Sequence, residues 1–128
     1  MATLVQRFSP TIPAGTQLET PYVEPLYVQP NMEVSAIRWE VPPGPLGLMG
    51  WLLTMGGEPV LPTNGAWMVA DDERDTWQLQ GMPESGAWQL TGYNLGDFDH
   101  TVYFVFLLDP LPQPTQQQVM ASLVGSTV

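Results

Sequence analysis

Glu33-Val-Ser-Ala-Ile-Arg-Trp-Glu-Val41 sets Ile37, Trp39 and Val41 on one side of an extended chain and Arg38 and Glu40 on the other. A period of two, with β-branched and aromatic residues on the apolar side, is the pattern of a strand with one face buried and one wet. Pro42-Pro43-Gly44-Pro45 stops that strand, because each proline lacks an N–H and restricts the residue before it.

The same texture continues in both directions. Leu46–Met55 is a near-continuous apolar run carrying Gly47 and Gly50, which predicts a buried, bent strand. Met55-Gly56-Gly57-Glu58 reads as a turn and Pro59–Leu61 as a short pairing segment. Ala66–Ala70 and Thr76–Gln80 flank an acidic loop, Asp71-Asp72-Glu73-Arg74-Asp75. Gly86–Tyr93 and Thr101–Leu108 flank a second loop, Asn94 to His100. Ala2–Phe8 supplies a first strand. Prolines 13, 21, 25 and 30 make Thr11–Pro30 an edge strand or an extended arm, since proline cannot donate to a ladder.

These short runs, punctuated by 12 glycines and 14 prolines, predict an all-β chain. The expected fold is an antiparallel β-sandwich or jelly roll of about eight strands. The expected organisation is an N-terminal strand and Pro-rich arm over 1–32, a sandwich core over 33–109, and a Pro-rich spacer with a short C-terminal helix over 110–128. The helix expectation rests on a capping box, Thr115 to Gln118, followed by an apolar stripe of Val119, Met120, Leu123 and Val124, with Gly125 ending it. A helix of about ten residues is marginal alone in water, so it must pack on something. Pro110, Pro112 and Pro114 form a stiff spacer that suits a tail reaching a neighbouring subunit as well as it suits local docking.

Thr101–Leu108 (TVYFVFLL) is apolar on both sides, where a strand with one wet face should alternate. Either the arm covers its outer face or that face lies in a subunit interface, and the second is the expectation. The residues expected at interfaces are Tyr22, Leu26 and Tyr27 in the arm, Tyr103 in the last strand, and Val119, Met120, Leu123 and Val124 in the tail.

Composition narrows the function classes. At 128 residues the chain matches one domain. Apolar residues make up 44% and charged residues 12%, which excludes the disordered class. Thirteen acidic residues face only Arg7, Arg38 and Arg74, giving a net charge of -10. No basic stripe for nucleic acid can be built from three cations, and attraction to an anionic membrane fails for the same reason. Cysteine is absent, which removes disulfides, thiolate metal sites and thiol nucleophiles. The first 30 residues lack a basic segment followed by an apolar one, so cytoplasmic synthesis without a signal peptide is expected.

Candidates for chemistry are few. His100 is the only histidine, and no G-x-S-x-G elbow accompanies it. Asp97, Asp99 and His100 are weak metal candidates, because turn chemistry explains the same residues. The acids at 71, 72, 73 and 75 could offer oxygens to calcium but lack the EF-hand spacing. Five tryptophans, at 39, 51, 67, 77 and 88, could stack on sugars, although their strand positions favour the core. The expectation is a chain without catalytic residues or cofactor.

The stretches VPPGPLGLMGW (41–51), PVLPTNGAWMVADDE (59–73), SGAWQLTGYN (85–94) and DHTVYFVFLL (99–108) resemble small β-sandwich proteins of tailed bacteriophages. The likeness covers residues 33–108 and consists of turn and strand signatures. It implies a structural component of the virion, on the capsid, at the neck or in the tail. Its implied partners are copies of itself and other virion proteins (capsid, portal or neck, tail). A lectin-like module recognising host-surface glycans, within a tail fibre for example, is the alternative.

Overall fold

The computed structural model describes residues 4–62, 64–83 and 87–110, and every regular element among them is a β-strand. In chain order these are β1 (Leu4–Phe8), β2 (Thr11–Ile12), β3 (Tyr22–Leu26), β4 (Met32–Val41), β5 (Met49–Met55) and β6 (Glu58–Leu61). The second half adds β7 (Met68–Val69), β8 (Glu73–Pro83), β9 (Trp88–Asn94), β10 (His100–Thr101) and β11 (Tyr103–Pro110).

Every pairing is antiparallel, and the pairings nest. β1 lies on β11, β2 on β10, β3 on β9 and β4 on β8, while β5 takes both β6 and β7. The chain is thus one long hairpin that doubles back near β5 and β6. Two further ladders, β4 with β11 and β5 with β9, roll that hairpin into a four-stranded sheet of order β1-β11-β4-β8 and a five-stranded one of order β3-β9-β5-β6 with β7 also on β5, while β2 and β10 form a two-stranded sheet of their own.

The apolar halves of the alternating strands form the core. Trp39 and Ile37 from β4, Phe104, Phe106 and Leu108 from β11, Trp51 and Leu53 from β5, and Trp88 and Leu90 from β9 are all buried. Edge-to-face ring contacts cross between the two sheets: Trp39 to Trp51 at 5.4 Å, Trp51 to Phe104 at 5.0 Å and Trp88 to Phe106 at 5.1 Å. Such aromatic pairs add about 0.5–1.5 kcal/mol each beyond the area they bury. A bulge between Val34 and Ala36 resets the alternation of β4, and the hydroxyl of Ser35 donates to the Leu107 carbonyl beside it.

Several expectations change in the structure. Of the two readings of Thr11–Pro30, the structure shows strands: β2 pairs with β10, and β3 pairs with β9 alone among the described residues. Pro25 is tolerated because β3 is an edge strand among the described residues, where a missing N–H breaks no second ladder. The buried strand begins at Met49 rather than Leu46, since Leu46 and Gly47 adopt left-handed geometry and turn the chain. Ala66–Ala70 shortens to Met68–Val69. The acidic segment is not a hairpin loop, because β7 joins β5 while Glu73, Arg74 and Asp75 already belong to β8 in the other sheet. Thr101–Leu108 is broken at Val102, whose N–H donates to the Pro10 carbonyl. The expected tail helix, with Val119, Met120, Leu123 and Val124, lies outside the described residues.

Candidate interaction surfaces

Two surfaces stand apart from the buried core. The first is the outer face of the sheet β1-β11-β4-β8. Register places Arg7, Val105, Arg38 and Thr76 in one row across its four strands. The next row toward the loops carries Tyr103, Glu40 and Arg74. The row behind carries Val5, Leu107, Ala36 and Gln78. All three cations of the chain therefore share one sheet face, although they are 31 and 36 positions apart in sequence.

Arg7, Arg38 and Arg74 are exposed. Arg74 approaches Glu40 at 3.9 Å, a solvated contact worth little. Among the described residues no carboxylate lies within ion-pair distance of Arg7 or Arg38. Tyr103 is 46% exposed and stands as a ridge between two open depressions. One, of about 440 Å³, is lined by Arg38, Glu40, Arg74, Thr76 and Val105; the other lies against Arg7, Phe8 and Ser9. Glu33 and Asp109 sit toward the far end of this sheet, away from the three arginines.

The second surface is the end of the molecule where four connections meet, and Asn94 organises it. Asn94 is fully buried. Its side-chain amide donates to the carbonyls of Ile12 (3.0 Å) and Phe98 (2.8 Å), and its carbonyl oxygen accepts from the N–H of Gly96 (3.0 Å). The Asn94 N–H donates to the Thr16 carbonyl, that of Leu95 to Leu48, and that of Gly15 to Gly96. The Ala14 N–H donates to the Asp99 carboxylate, and the Gly44 N–H to the Asp71 carboxylate. The His100 ring packs on Gly44, where a Cβ would stand 2.9 Å from it. Loops from both sheets are laced together this way, leaving Leu46 (76% exposed) and Phe98 (75%) projecting among Asp72, Asp97 and Asp99.

The residues singled out from the sequence divide as follows. Tyr103 faces solvent on the first surface, and Tyr27 is exposed just after β3. Leu26, expected at an interface, is instead a core residue, because its position in β3 points toward the second sheet's inner layer. Tyr22 is half-buried and hydrogen-bonds Glu24 two residues along the same strand, which raises its pKa above the ordinary 10.0 through that bond first, then burial and the carboxylate's charge. Asp99 is engaged by Ala14, and His100 pairs with Ile12 in the short β2–β10 ladder. Among the described residues no three His, Asp or Glu side chains converge to hold a metal. Trp39, Trp51 and Trp88 are buried, so their ring faces are closed to a sugar, and the Trp67 ring packs edge-on to Tyr93 at 5.0 Å.

Sequence reasoning missed the gathering of the arginines. The outward position of Arg38 was legible from the alternation of β4, but its neighbours on the sheet are set by register with β1 and β8. Comparison with protein-family models and with curated proteins finds no match to this chain.

Proposed function

We propose that this chain is a non-enzymatic building block that assembles with copies of itself, folded as a jelly roll of the β-sandwich class. Its proposed setting is a tailed-phage particle, on the capsid surface or at the neck, with other virion proteins as further partners. The nested pairing supports the fold name: a long antiparallel hairpin rolled into two facing sheets, here of four and five strands, is how a jelly roll is built, and the architecture recurs in viral capsid and lectin domains.

The observation that carries the assembly reading is the outer face of β11. Tyr103 and Val5 are open to solvent, and Val105 and Leu107 are half-exposed between them, so a contiguous apolar strip remains where a free sheet face would be polar. The glycan alternative draws no support from Trp39, Trp51 or Trp88, all of which are buried.

Light scattering behind a sizing column tests the assembly reading. A closed oligomer is expected, and Tyr103→Glu or Leu107→Glu should reduce it to monomers with unchanged circular dichroism. A wild-type chain that stays monomeric at every accessible concentration overturns it. The setting is checked separately, by mass spectrometry of purified particles from cells carrying the gene. A fixed stoichiometry is expected, and absence from the particles removes the virion reading.

A further inference from the structure

We infer that the occupant of the arginine-bearing sheet face is the loop end of a second copy of this chain, docked head to tail. The inference rests on the self-assembly reading above and names the two surfaces that meet.

Charge selects this pairing. With a net charge of -10, most contacts between two copies set like charges together. Joining the sheet face to itself opposes arginine to arginine, and joining the loop end to itself opposes Asp97 to Asp97. The sheet face keeps a net positive balance, Arg7, Arg38 and Arg74 against Glu40 and Asp75, so it is attracted to the loop end of the next copy with its Asp72, Asp97 and Asp99.

The apolar groups agree with it independently. Each surface presents large exposed side chains that no described residue covers: Leu46 and Phe98 at the loop end, Tyr103 and Val5 on the sheet face. The depressions flanking Tyr103 are concave and open, while Phe98 and Leu46 project. A projecting apolar group rimmed by carboxylates is complementary to hollows where three guanidinium groups outnumber the carboxylates of Glu40 and Asp75, and such complementarity fixes register as well as attraction. Because the two surfaces differ, the contact is heterologous and generates a ring or an open filament rather than a two-fold dimer.

Charge exchange in the full-length chain tests this. Arg38→Glu and Asp97→Arg change exposed side chains that hold no hydrogen bond to a described residue, so circular dichroism should match the wild type. Each variant alone should self-associate at least about tenfold more weakly, through lost attraction and new repulsion. Mixing the two should restore assembly, because the exchanged face then meets the exchanged loop end and the native face meets the native one. Added salt should weaken wild-type assembly. If the wild type assembles but each variant assembles equally well, or the mixture stays dissociated, this inference fails while the assembly reading stands. A wild-type chain that never assembles overturns both.

Discussion

The side-chain amide of Asn94 donates to the carbonyl of Phe98 at 2.8 Å, and through that bond a fully buried polar group shapes the exposed end of the molecule. The same amide holds Ile12, so β2, β9 and the 94–99 loop share one hub. A buried amide with its donors and acceptor filled is stabilising, whereas its removal strands three backbone groups.

Asn94→Ala is therefore expected to cost about 2–4 kcal/mol, read by urea denaturation. Asn94→Asp should cost more at neutral pH, where a carboxylate would face two carbonyls without a proton to offer. That excess should shrink as pH falls and the acid protonates. Equal cost for Asn94→Asp at neutral and acidic pH would show that the site admits water.

Ile12 covers Gly92 so closely that a Cβ on the glycine would stand 2.5 Å from its Cδ1 and 3.2 Å from the Gly50 carbonyl oxygen. Gly92→Ala should destabilise by about 1–3 kcal/mol through overpacking. Ile12→Val removes the closest atom, so the double variant should lose less than the sum of the singles in a double-mutant cycle. Strict additivity would mean that the clash is with the Gly50 backbone instead.

Trp51 and Trp88 are sealed in the core, and their indole N–H groups meet no acceptor among the described residues. Replacement by alanine should cost about 3–5 kcal/mol. Tyr27, 80% exposed, should change stability by less than about 0.5 kcal/mol when truncated. Thermal melts followed by circular dichroism make the comparison. A cost below about 1 kcal/mol at Trp51 would contradict its burial.

Tyr22 ionises above its ordinary 10.0 because it donates to Glu24. A raised folded-state pKa means that its contribution to stability is fully present below the unfolded value and is lost as pH rises through the folded one. NMR titration of labelled tyrosine rings should show the Tyr22 midpoint falling in Glu24→Gln, which removes the charge and weakens the bond. Since the titrating hydroxyl lies near solvent, the effect on stability should be small. An unchanged midpoint would put the cause elsewhere.

Much of the strand content was legible locally. The alternation of Glu33–Val41 fixed which of its side chains enter the core, and the proline runs marked where strands end. Local pattern failed where pairing overrides it. Asp71–Asp75 looks like a loop by charge, yet Glu73, Arg74 and Asp75 extend as strand because β4 offers them backbone partners up to Val41. Leu26 looked available in a proline-rich arm, yet pairing with Trp88 in β9 turns it inward.

The sequence by itself determined the all-β class, the acidity, the lack of cysteine and lysine and the apolar excess of the last strand. Those properties follow from composition and from a side-chain period of two, both readable within a few residues. The nesting of the strands, the hub at Asn94 and the meeting of Arg7, Arg38 and Arg74 were decided only by tertiary structure. Each depends on register between segments tens of residues apart. A slip of one residue would send every side chain of a strand to the other face, so no local pattern specifies these neighbours.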